Sequence, residues 1–266
     1  MSPPLARYAR QLVLPEVGVD GQRRLHAARV AVVGCGGLGA PVVQQLAAAG
    51  IGHLSLFDDD SVDDSNLNRQ TLFRVDQLGA RKAEASAAFV RALNPDVDVA
   101  VFIERVTVAR ARQVFADHDV VVDCSDGFPT KYLLNDVAVV TDTPLVHGAA
   151  TAWAGQVLVV PGKEGPCLRC LFPTLPPAGS VPTCRTAGIL APVTGIIGSL
   201  QAAEVLKLVL GLPDLRGRLL AVDVKDTATR AIRFDRDVDC GTCGAHAHDV
   251  AVRDSDYNMP TCNEES

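Results

Sequence analysis

Arg29-Val30-Ala31-Val32-Val33-Gly34-Cys35-Gly36-Gly37-Leu38-Gly39 is the stretch that decides the fold of this chain. A short valine-rich run reads as a buried strand. The segment Gly34–Gly39 then fits G-x-G-x-x-G where a strand turns into a helix. Glycines at those positions permit a tight turn and let phosphate approach the backbone N–H groups at the helix N-terminus. A glycine turn needed only for close helix–strand packing is the weaker reading, because the next strand, His53–Asp58, ends in an acid placed to hold a ribose. The turn alone indicates an adenine nucleotide and leaves NAD and ATP both open.

Outward from that turn the pattern alternates. An alanine-rich helix over Gly39–Ala49 ends at Gly50, and Arg81–Leu93 reads as a helix stopped by Asn94-Pro95. Strands are expected at Val97–Ile103, Val120–Asp123 and Leu145-Val146, with helices near Ala109–Ala116 and Thr130–Val140 between them. Such alternation implies right-handed crossovers and a Rossmann-like, doubly wound, mainly parallel α/β sheet. After Thr151 come a strand at Gln156–Pro161, an irregular Pro/Gly-rich stretch, and a nearly all-apolar helix, read as buried, over Val193–Leu210. Arg218–Val224 and Ala228–Phe234 read as two C-terminal antiparallel strands extending the sheet.

No linker interrupts the 266 residues, so a single domain is expected. Within it, about 1–28 form an N-terminal helical segment, 29–151 the nucleotide-binding half, 152–244 a partner-binding half and 245–266 a flexible tail. A net charge of −6 without basic clusters argues against nucleic-acid binding. The apolar run over Ala191–Gly211 contains Glu204 and Lys207, so no membrane span is expected, and Met1-Ser2-Pro3-Pro4 does not resemble a signal peptide. The expected location is cytoplasmic, where eight cysteines point to metal or redox chemistry rather than a disulfide framework.

Four of those cysteines form two Cys-x-x-Cys pairs, Cys167/Cys170 and Cys240/Cys243, with the spacing of a closed tetrahedral zinc site of four thiolates. A thioredoxin-like redox pair is the alternative, disfavoured by two separate pairs and no matching helix N-terminus. Cys184, beside Arg185, is left over as either a reactive or a spectator thiol, whereas Cys35, Cys124 and Cys262 read as structural. His147 reads as a satisfied strand-end residue, and Trp153 and Gln156 as groove candidates.

The long polar stretch after Asp58, ending Ser65-Asn66-Leu67-Asn68-Arg69-Gln70, separates the two nucleotides. A dehydrogenase runs quickly into its next helix here and has little use for cations near the phosphates. Nucleotidyl transfer needs them, and Arg69 and Lys82 are the candidates.

Taken with Arg7-Tyr8-Ala9-Arg10-Gln11, Asp123-Cys124-Ser125-Asp126 and Cys184 before Ala187–Pro192, these motifs make the chain resemble the ThiF/MoeB/HesA family, bacterial relatives of ubiquitin-activating enzymes. The resemblance covers about Arg7–Gly244. It implies an ATP-dependent adenylyltransferase for the C-terminal Gly-Gly carboxylate of a small ubiquitin-fold sulfur-carrier protein, with a separate sulfur donor (a cysteine desulfurase or rhodanese). By resemblance, Asp58 binds the ribose, Gly34, Gly36, Gly37 and Gly39 form the phosphate turn, and Ser65, Asn66, Arg69 and Lys82 contact the triphosphate. Asp126 would hold Mg²⁺, Arg10 would reach into the partner subunit of a homodimer, and Cys184 is linked to covalent capture or sulfur transfer. Gly127 stands where the family commonly has Asn, which removes a side-chain contact. An NAD-dependent oxidoreductase and a non-catalytic docking scaffold for a ubiquitin-like protein are the alternatives.

Overall fold

The computed structural model describes residues 5–177, 179–181, 184–245 and 252–257. Helices α1 (Ala9–Leu12) and α2 (Gly18–Ala27) lead into β1 (Arg29–Val33), α3 (Gly39–Ala49), β2 (His53–Phe57), α4 (Lys82–Leu93), β3 (Asp98–Phe102), α5 (Val108–Asp117), β4 (Val120–Asp123) and α6 (Phe128–Thr141). The second half comprises β5 (Leu145–Thr151), β6 (Ala154–Val160), the short helices α7 (Leu168–Leu171) and α8 (Cys184–Ala187), α9 (Ala191–Leu210), β7 (Arg218–Asp223) and β8 (Ala228–Arg233).

All eight strands form one sheet in the order β3-β2-β1-β4-β5-β6-β7-β8. The first five are parallel, and β6, β7 and β8 are each antiparallel to the strand before. Strand parity sorts the core into two layers, because successive side chains leave a strand on opposite faces. Val30 and Val32 pack with α3, α4 and α9, whereas Ala31 and Val33 pack with α5 and α6. The sheet order reverses between β1 and β4, which opens a crevice beyond the carboxyl ends of the strands, where open α/β sheets bind ligands.

Three expectations change. β5 runs on to Thr151 rather than stopping at Val146, because Gly148–Thr151 pairs with β6 down to Ala154. That stretch lacks the apolar run that marks the rest of the strand. The helix read as buried over Val193–Leu210 begins at Ala191, with Pro192 in its first turn, and buries only one face; Ile196 is 39% exposed on the other. It is long and apolar enough to cross a membrane by length and composition, yet it packs on α3, β5 and β6 as a core element. Residues 252–257, read as part of a flexible tail, pack instead: Val252 and Tyr257 are buried, and the Tyr257 hydroxyl donates to the Asp136 carboxylate at 2.6 Å. Residues 246–251 and 258–266 of that tail, with Cys262, lie outside the described residues.

Candidate functional site

The glycine turn is fixed by backbone crowding. Gly34 has φ +96°, and a Cβ there would sit 2.7 Å from the Cys124 carbonyl oxygen. One on Gly39 would lie 2.1 Å from the Gly34 carbonyl oxygen. No side chain caps α3, but the Ala40 amide donates to the Gly36 carbonyl at 2.9 Å and Pro41 has no N–H, so the backbone suited to an anion is the Gly36–Leu38 turn that lines the crevice. The crevice is a cleft of about 750 Å³ that brings together Gly34, Gly36, Gly37, Asp58, Arg69, Lys82 and Asp126. A second opening of about 500 Å³ meets it at Gly34, Asp58, Ser125 and Asp126 and has Gly127 on its wall.

Asp58 accepts from the Cys35 amide at 2.7 Å and the Asp60 amide at 2.9 Å. Burial outweighs these bonds and raises its carboxyl above the usual range. The Lys82 side chain is nearly buried, and its ammonium donates to Asp60 at 2.8 Å, an acid that itself is largely exposed. Arg69 is braced from behind, donating to the Ser65 carbonyl at 2.8 Å and to Asn68 Oδ1 at 3.0 Å. Asp126 is exposed.

Other expected residues fall elsewhere. Gly39 lies beneath the turn rather than on the cleft wall, and Ser65 and Asn66 form the short turn that supports Arg69. Ser65 Oγ is engaged by Asp63 at 2.5 Å. Arg10 is exposed on α1 and lines neither cleft. The side chain of Cys184 lies outside the described residues, although its backbone belongs to α8. Gln156 lines the cleft, while Trp153 sits half-exposed at the β5–β6 turn, away from it.

Several cleft residues were not legible in advance. Lys131 lines the cleft, yet it is 5% exposed and donates to the Gly148 carbonyl at 2.7 Å while lying 3.3 Å from Asp123 Oδ2. On the sequence it resembles any helix lysine. Burial alone would raise the Asp123 carboxyl. The Lys131 ammonium and the hydrogen bonds from His147 and Ser125 outweigh that and bring it down to about 2. Burial also lowers the His147 pKa, so the neutral ring donates through Nδ1 to Asp123 at 2.7 Å. His147 is thus satisfied as expected, although it lies inside β5 rather than at its end. Asp123 also accepts from the Ser125 amide and hydroxyl at 3.0 and 2.6 Å, which fixes the turn leading into Asp126. Gln70 carries a buried Oε1 with no partner among the described residues and lines the cleft beside Gly36.

The four paired cysteines converge, with all Sγ atoms within 4.8 Å of one another. Cys167–Cys240 is 3.7 Å and Cys170–Cys243 is 3.3 Å. A tetrahedron of thiolates at about 2.3 Å from a metal has edges near 3.8 Å, so the donor set fits such an ion. Hydrogen bonding among the sulfurs, led by Cys170, raises the Cys167 thiol, whereas Cys170 and Cys240 are lowered, chiefly by Cys167. Both arms of the cluster are tied to α6. Arg169 makes a bidentate pair with Asp136 at 2.8 and 2.7 Å, and Thr242 donates to the same carboxylate at 3.0 Å. Cys35 and Cys124 are buried with raised thiol pKa values, the state of inert packing cysteines.

The sequence profile of the ThiF family matches residues 8–242. The chain is 48% identical over 255 residues to the SAMP-activating enzyme E1 of Haloferax volcanii, covering 95% of this chain and 93% of that one. It is 45% identical over 246 residues to the sulfur carrier protein adenylyltransferase of Thermus thermophilus, covering 90% and 91%. Among solved structures, E. coli MccB with AMPCPP and MccA superposes with a TM-score of 0.79 at 22% identity, over 91% of this chain and 75% of that one. At that identity the likeness concerns the fold.

Proposed function

The chain belongs to the ThiF family and is a nucleotidyltransferase; from that premise we propose that it adenylates the C-terminal glycine carboxylate of a small ubiquitin-fold sulfur carrier. The observation that carries the proposal is the meeting of Arg69, Lys82 and Asp126 around the Gly34–Gly37 turn in one cleft. An NAD site would leave those groups without work.

A carboxylate is already ionised at neutral pH, so the reaction needs no general base. One carboxylate oxygen attacks the α-phosphorus, the bond to the β-phosphate oxygen breaks, and pyrophosphate leaves with its electron pair. Both reactants are anionic, and catalysis rests on positioning and charge neutralisation. Asp58 takes the ribose, and the amides of the Gly36–Leu38 turn take phosphate oxygens. Arg69, braced by the Ser65 carbonyl, points its charge at the triphosphate. Lys82 exchanges its bond to the exposed Asp60 for a phosphate oxygen. Asp126 and Asp60 offer the hard oxygen donors that would hold Mg²⁺, which when bound would supply charge neutralisation at the phosphates. The four thiolates suit Zn²⁺ and leave no open position, which makes it a staple between the cysteine loops and α6.

The enzyme works as a cytoplasmic homodimer with a separate sulfur donor. Arg10, exposed and away from its own cleft, and the exposed apolar residues Val13, Leu14 and Ile196 support the dimer. Cys184 is the candidate nucleophile toward the acyl-adenylate, forming a thioester as AMP leaves. A Cys184→Ser protein that still supports full thiocarboxylate formation rules out an obligatory covalent step. The function itself is tested by incubating the protein with MgATP and Gly-Gly-ended carriers encoded in the same genome. Mass detection of a carrier acyl-adenylate supports it, and unmodified carriers throughout, with folded protein, overturn it.

A further inference from the structure

We propose that the segment Val252–Tyr257 is part of the nucleotide site, completing the wall around the nucleoside end of ATP and setting its affinity. This rests on the function proposed above. The cleft has two chemically different ends that meet at Asp58 and Asp126. Arg69, Lys82 and the glycine turn line only or mainly the larger end, which suits phosphates. The smaller opening is walled by Phe57, Val106, Phe128 and Leu133, apolar and aromatic side chains that suit a purine. Asp254 and Tyr257 line that same opening.

Their bonds explain what they do there. Asp254 Oδ1 accepts from the Val108 amide at 2.8 Å, satisfying a first-turn donor of α5 and holding the Val106-Thr107 wall. Tyr257 is 8% exposed and donates to Asp136 at 2.6 Å on α6, the helix that carries Phe128 and Leu133. One six-residue segment therefore fastens the start of α5, next to the Val106-Thr107 wall, and α6, whose Phe128 and Leu133 line the opening. Asp136 is at the same time the anchor for Arg169 and Thr242, so the segment shares its fastening point with both cysteine arms. Asp254 acts as a positioning residue through Val108, and Tyr257 contributes wall as well as tether.

The test uses the full chain and compares ATP with inorganic tripolyphosphate, which occupies only the phosphate end. Asp254→Ala and Tyr257→Ala are each expected to weaken ATP about tenfold, the effect of one lost charge-assisted hydrogen bond. Tripolyphosphate binding, kcat at saturating ATP and KM for the carrier stay unchanged. Asp254→Asn keeps an acceptor for the Val108 amide and restores affinity, and Tyr257→Phe keeps the ring and gives an intermediate loss. The intermediate loss in Tyr257→Phe decides the matter if the alanine proteins do not fold. Unchanged ATP affinity in a folded Asp254→Ala, Tyr257→Ala or Tyr257→Phe protein overturns the proposal, as does an equal loss for ATP and tripolyphosphate. Failure of the wild-type protein to bind ATP strikes instead at the function on which the proposal rests.

Discussion

The parallel and antiparallel halves of the sheet are held by different means. β1, β2 and β4 are covered on both faces by helices, and β1 and β4 are nearly all buried. β8, at the other edge, is exposed along almost its whole length, and β7 is only partly covered. The parallel half derives its order from apolar burial and from backbone contacts at the glycine turn. The antiparallel half has less core to offer and relies on the cysteine cluster and the Asp136 bonds to α6. The difference also divides labour. In the proposed function the covered half serves the nucleotide, and the open half, with Gln156, Asp223, Arg230 and Ile232 on the cleft, serves the carrier's tail.

The sharpest way to break the comparison is to disable the cysteine cluster of the antiparallel half, the proposed zinc staple. Cys240→Ser, or chelation of the wild-type protein, is expected to lower stability by several kcal/mol, with zinc lost from a stoichiometry of a single ion per chain. Denaturant unfolding with metal analysis checks this, and a folded, equally stable, metal-free protein contradicts it. In the parallel half, Gly34→Ala is expected to cost about 3 kcal/mol, because the new Cβ meets the Cys124 carbonyl and φ is positive. Zinc content should be untouched.

A smaller effect comes from acid. The folded pKa of His147 is lowered, as is that of His118, so below the unfolded value near 6.5 the unfolded chain binds protons that the folded chain refuses. Stability therefore falls from about pH 6.5 downward, whereas Asp123 contributes until the pH nears 2. The denaturant midpoint should drop between pH 7 and pH 5, and less steeply in His147→Gln. Equal slopes would remove His147 from the account. The smallest stability change belongs to β8: Arg230→Ala should alter stability by no more than about 0.5 kcal/mol while raising KM for the carrier and leaving KM for ATP alone.

Legibility in the sequence followed the same division. Buried parallel strands announce themselves as valine runs, and the Gly34–Gly39 turn with Asp58 located the crevice from residue order alone. The paired cysteines, far apart in the chain, were readable because metal ligation demands that spacing. Burial of polar groups was not readable. Lys131 and Asp136 look like ordinary helix residues until the fold buries them beside Asp123 and Arg169. Residues 252–257 carry no periodicity, and they are held by the burial of Val252 and Tyr257 and by single hydrogen bonds to partners more than a hundred residues away. β5 was cut short because Gly148–Thr151 is ordered by ladder pairing with β6 rather than by its own side chains.

The most direct test of the central claim is ATP–pyrophosphate exchange with and without a Gly-Gly-ended carrier, in wild type and Asp126→Ala. Exchange that requires the carrier and falls about a thousandfold in a folded Asp126→Ala protein is the predicted result. Carrier-independent exchange, or full exchange without the Asp126 carboxylate, would contradict it.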